Sequence, residues 1–148
     1  MLSKKLQKAI SCVLLLSCMI FAVGAANPTQ TETIDYGDGY YLVITTTGKN
    51  ADTTTRAVTE RYIEREARAY HGSTYIGKYT LCGTFIYDGS RSAAIADDWY
   101  ASSSYGYSGS SSHTGSSVKG RCTFNYAGGK TYTITMTCDK NGNMSYTE

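Results

Sequence analysis

Thr74–Tyr87 reads TYIGKYTLCGTFIY, and its alternation decides the fold class. Tyr79, Leu81, Phe85 and Tyr87 share one side, with Gly83 between them. Lys78, Thr80, Cys82 and Thr84 share the other. A period of two in a stretch rich in aromatic and β-branched residues predicts a strand. Asp88-Gly89 then supplies a turn, and Ser92 to Tyr100 reads as a further strand carrying Ile95 and Trp99.

Upstream of this strand, residues 57–70 are ambiguous. Glu, Arg and Ala favour a helix, Glu64 and Arg68 have the supportive i,i+4 spacing, and Gly72 is placed to cap it. The competing reading is a long strand that turns at His71-Gly72-Ser73 and returns as Thr74–Tyr87. The helical projection interleaves charges with Val58, Tyr62, Ile63 and Ala69, so the strand is the preferred reading. Further back, Tyr40 to Thr47 reads as a strand behind the Asp38-Gly39 turn. Gly48 to Thr55 reads as a loop, and Asn27 to Thr33 as a polar leader.

Downstream, residues 102–117 hold nine serines and three glycines. That composition cannot bury a core, so it reads as a Ser/Gly-rich surface loop or an edge hairpin. Val118 to Tyr126 and Lys130 to Cys138 form a last hairpin around Ala127-Gly128-Gly129, and residues 139–143 make a turn. About six to eight short strands in one small domain predict an all-β, antiparallel β-sandwich, Ig-like in size. The alternatives are a partly open β-barrel and a single helix at 57–70. Leu81, Phe85, Trp99, Phe124, Ile134 and Met136 are the expected core.

Residues 1–26 have the form of a secretory signal peptide. Lys4, Lys5 and Lys8 precede an apolar run from Ile10 to Val23, and Gly24, Ala25 and Ala26 make a small-residue exit. Leu15-Leu16-Ser17-Cys18 resembles a lipobox, but the apolar run continues beyond the cysteine. The expected product is a single secreted domain, residues 27–148, with no stable membrane anchor. The formal charge of +2 includes those three lysines, so the exported domain is slightly acidic. A strongly basic nucleic-acid footprint is thereby excluded.

Three cysteines remain after processing. Hairpin parity puts Cys122 and Cys138 on one face as near-diagonal neighbours, and a disulfide between them is expected, leaving Cys82 as a free thiol. Such a bridge contributes about 3 kcal/mol in the chain-entropy model. Pairing of Cys82 with Cys138, or three buried thiols, are the alternatives. Cys82 as a nucleophile would need His71 or His113 as its base, and no spacing requires either. Asp97 and Asp98 are adjacent and so face opposite sides of a strand, unlike a glycosidase pair. Asp139, Asn141 and Asn143 suggest a calcium loop, but the glycine falls at 142 and the closing glutamate is missing, so a turn is preferred. No catalytic, cofactor or metal residue is assigned. Tyr100, Tyr105 and Tyr107, on a serine background, are the candidate binding surface, because rigid amphipathic rings beside adaptable hydroxyls give contact area at low entropy cost.

Gly83-Thr84-Phe85-Ile86-Tyr87-Asp88-Gly89, Trp99, the serine-rich stretch and Thr137-Cys138-Asp139-Lys140-Asn141-Gly142-Asn143 together resemble a pattern in small secreted proteins of Gram-positive bacteria. No function is assigned to that group. The resemblance covers residues 74–145 and implies an exported β-rich domain, with residues 57–70 in a hairpin; it transfers no active site. Tyr105 to Val118 is also similar to a segment of lactococcin-type secreted bacteriocins. The resulting expectation is a secreted, non-enzymatic β-domain that binds a cell surface, a glycan or a protein. A secreted antimicrobial or toxin-like protein and a small secreted hydrolase are the alternatives.

Overall fold

The computed structural model describes residues 29–51 and 58–148. The export signal, its exit at Ala26 and the lipobox reading all lie outside the described residues. The described chain is strand throughout: β1 (Thr29–Asp35), β2 (Tyr40–Ala51), β3 (Thr59–His71), β4 (Thr74–Tyr87), β5 (Ser92–Ser102), β6 (Tyr107–Thr114), β7 (Ser117–Phe124), β8 (Lys130–Cys138) and β9 (Met144–Thr147). β1 to β5 form one antiparallel sheet in sequential order, and β6 to β9 form a second. Two packed antiparallel sheets make a β-sandwich, and the barrel is not closed. Each sheet is an up-and-down meander, so the likeness to an immunoglobulin domain is one of size and not of strand order.

The preferred strand reading of 57–70 holds and its helical alternative is corrected: β3 pairs with β2 and β4 along its length. Its inward side carries Ile63, Arg65, Ala67 and Ala69, all buried; Tyr62, Glu64, Glu66, Arg68 and Tyr70 face outward. A buried arginine among small residues is what blurred the alternation. Glu64 and Arg68 do not pair; Arg68 bonds Glu66, two residues away on the same strand face, at 2.8 Å. The β3–β4 hairpin turns on Gly72 and Ser73, with Gly72 at a positive φ of 56°.

Two further expectations are corrected, and a choice between two readings is resolved. Thr29–Asp35 is an edge strand, because its threonines continue the ladder of β2 (Thr29 opposite Thr47, Thr31 opposite Thr45). Gly48 to Ala51 extends β2 where a loop was expected; the rest of that loop lies outside the described residues. Of the two readings of the Ser/Gly-rich segment 102–117, the edge hairpin holds and the surface loop is corrected: Tyr107–Thr114 is β6, the edge strand of the second sheet, hairpinned to β7. Packing requires a glycine at one place there, since a Cβ on Gly109 would lie 2.7 Å from the Trp99 ring.

The core lies between the sheets. Leu42, Ile44, Ile63, Tyr79, Leu81 and Phe85 meet Val118, Phe124, Tyr132, Ile134 and Met136, each at most 1% exposed. Five of the six expected core residues are among them, and Trp99 packs half-buried against the edge. At one side of the sandwich β5 meets β6, where Ala94 N–H donates to Gly115 O at 2.8 Å. At the other side, among the described residues, the short β9 faces β1 to β3, and a buried polar cluster joins them there. Arg65, fully buried, donates from Nη2 to Glu32 at 2.5 Å and to Glu148, with its guanidinium 4.2 Å from the Tyr146 ring centre.

Candidate functional site

The outward side of the five-stranded sheet gathers the aromatic residues that the core does not use. A register shift at Ala69/Tyr70 of β3 places Tyr70 opposite Tyr75 of β4, with Tyr41 of β2 opposite Tyr70 on its other side. One irregularity in the ladder thus lines up three rings on three strands. Tyr41 and Tyr70 stack with centroids 5.1 Å apart at 9°, and Tyr75 meets Tyr70 edge-on at 5.5 Å. Tyr75 is 46% exposed.

Along β3 the row of rings gives way to a row of charge. Glu66 accepts from Arg68 at 2.8 Å and from Lys78 at 3.1 Å. Burial alone would raise the Glu66 carboxyl; the bonds from Lys78 and Arg68 outweigh it and hold it below the usual range. Further on, Glu64 accepts from Tyr100 Oη at 3.0 Å and from Tyr62 Oη at 3.5 Å. Both phenols are raised, chiefly by burial, so both stay protonated and donating at neutral pH. Cys82 lies beneath them, opposite Glu64 and Asp98 in the ladder, and burial pushes its thiol up. Cys82 and Thr80 point away from the core as their parity requires, yet both are buried, because these long outer side chains cover them. From Tyr70 to Tyr62 the face extends about 27 Å at strand rise.

Of the tyrosines singled out by sequence, Tyr100 belongs to this face. Tyr105 lies in the β5–β6 turn, edge-on to Tyr126 at 4.8 Å, and Tyr107 lies on β6. All three are more than 40% exposed, but no ring contact among the described residues joins them into one surface. The sequence reading missed Tyr41, Tyr62, Tyr70 and Tyr75. The available signal was the alternation of Tyr62, Glu64, Glu66, Arg68 and Tyr70, which lines one face only once 57–70 is read as a strand.

The expected Cys122–Cys138 disulfide is corrected. Both side chains face inward, as parity required, and both are fully buried. Cys122 is opposite Tyr132, however, while Cys138 lies one position beyond the Ser117–Thr137 pair. Six positions of ladder, about 20 Å, separate them, far beyond the Cα separation a disulfide tolerates. Cys82, Cys122 and Cys138 are free thiols. Burial raises the Cys122 thiol to about 12 and pushes the Cys138 thiol above its ordinary value, so neither is poised as a nucleophile.

The remaining chemistry-bearing groups form two small clusters. At the β5–β6 side, Asp97 faces inward and accepts from His113 Nδ1 at 2.5 Å and from the Ser111 hydroxyl; Asp98 faces outward. In a Ser–His–Asp relay the hydroxyl would bond the imidazole, whereas Ser111 bonds the carboxylate. His71 lies at the hairpin end, stacked on Tyr40 at 4.3 Å, with Nδ1 3.3 Å from Tyr126 Oη. It shares the inward side of β3, opposite to that of Cys82, so the two form no dyad. The Asp139 carboxylate accepts two backbone N–H groups, from Asn141 and Asn143, and the Asn143 amide, which makes this segment a turn closed on itself. Among the described residues, no group of three or more His, Cys, Asp or Glu has metal-holding geometry.

No family model, no curated protein and no solved structure matches this chain.

Proposed function

We propose that the protein is an exported, non-enzymatic binding domain that takes a glycan on the outer face of its five-stranded sheet. The observation that carries this is the aligned row of Tyr41, Tyr70 and Tyr75, continued along β3 by carboxylates and phenols. A pyranose ring has an apolar C–H face and a hydroxyl rim. Tyrosine answers the first with its ring and the second with its hydroxyl. Glu64, Glu66, Arg68 and Lys78 supply further acceptors and donors. The face offers few aliphatic anchors, which a protein partner would require at the centre of its interface.

Co-sedimentation with insoluble chitin, cellulose and purified bacterial cell walls tests the reading. At least one should carry the protein down, and Tyr70→Ala and Tyr75→Ala should weaken retention roughly tenfold with the fold intact. Retention by none of them, or retention indifferent to both substitutions, would reject the glycan reading and leave a protein ligand to be sought.

A further inference from the structure

On the inward side of β3, opposite the tyrosine face, a cavity of about 310 Å³ opens between β1–β3 and β9. Gln30, Thr46, Arg61, Asn143 and Tyr146 are among its lining residues. Arg61 donates from Nη1 to Gly142 O at 2.5 Å, while its Nε is buried without a hydrogen-bond partner. No carboxylate among the described residues lies within ion-pair distance of it. Its neighbour Arg65 differs, being held by Glu32 and Glu148, yet Arg65 Nε and Nη1 are also buried and unpartnered. A guanidinium with an unpartnered N–H and no counter-charge among the described residues, lining a cavity walled by amides and a hydroxyl, calls for an acceptor that bears negative charge.

We propose that this cavity binds a carboxylate, with Arg61 as its charged partner and Gln30, Thr46 and Asn143 as polar contacts. A planar carboxylate fits the guanidinium fork, whereas the Glu32 and Glu148 carboxylates are already committed to Arg65. Two sources share this chemistry: a small free acid and the uronate of a polysaccharide. The site stands whether or not the tyrosine face binds glycan.

The test is an amide NMR titration of the protein with sodium acetate and, separately, sodium glucuronate, against glucose and sodium chloride at matched ionic strength. Saturable shifts at Gln30, Thr46 and Asn143 are expected with carboxylates only, with the outer-face amides of Thr45 and Thr80 unmoved. Saturation by acetate identifies a free-acid site; saturation by glucuronate alone identifies a uronate site. Arg61→Gln should weaken binding roughly tenfold or more. Should Arg61→Gln fail to fold, Gln30→Glu on the exposed edge strand decides, since it sets a like charge in the wall and should weaken binding comparably. Absence of saturable shifts, or affinity unchanged in the variants, would overturn the proposal and leave the arginine N–H groups to water.

Discussion

Tyr79 of β4 fills the space above Gly120 of β7: a Cβ built on Gly120 would lie 2.0 Å from Tyr79 Oη and 2.6 Å from a Leu81 methyl. The phenol crosses the sandwich to donate to Ser110 O at 3.2 Å, so the ring cannot move aside without losing that bond. Gly120→Ala should therefore destabilise the fold by about 1–3 kcal/mol through overpacking. Urea unfolding measures it, and the same change at Gly128, which has open space around it, reports only backbone strain.

All three thiols should be recovered free under oxidising conditions. Alkylation in the native state should be slow at Cys122 and Cys138, which are fully buried, and complete in urea. Peptide mapping without reduction checks this. A Cys122–Cys138 peptide would contradict the β7–β8 register itself.

Asp97 links the two sheets through Ser111 and His113, and those bonds, the Ser111 hydroxyl first, hold its carboxyl below the usual aspartate range. A depressed folded-state pKa gives stability that is present above the unfolded value and lost as pH falls through the folded one. Acid unfolding should steepen below about pH 4, and Asp97→Asn should flatten that limb while lowering stability at neutral pH. Circular dichroism across pH, for both proteins, compares the two limbs.

Arg65 is a buried cation held by two carboxylates. Arg65→Ala should cost about 3–5 kcal/mol, because Glu148 would be left partly buried without its partner. Arg65→Met, which fills the same space with apolar atoms, should cost less. Denaturant midpoints of the two variants rank them.

The strands that face one buried core were readable, because period-two alternation in Thr74–Tyr87, Val118–Tyr126 and Lys130–Cys138 is the direct imprint of a sandwich on sequence. Other features were hidden for specific reasons. β3 reads ambiguously because Arg65 stands where an aliphatic residue would normally complete its inward stripe. β6 reads as either loop or edge hairpin because its glycine is set by packing under Trp99 and its serines are mostly exposed, so no apolar alternation marks the strand. The alignment of Tyr41, Tyr70 and Tyr75 depends on a register shift between strands, which no local pattern encodes. The cysteine pairing failed on distance: parity fixes the face of a side chain, and register alone fixes its position along the strand.

The glycan-binding account is tested most directly by mapping amide chemical shifts while soluble chito- or cello-oligosaccharide is titrated in. The predicted result is saturable movement at Tyr41, Tyr70, Tyr75, Thr45 and Thr80, lost in Tyr70→Ala. Movement confined to β6–β9, or none with either sugar, would contradict it.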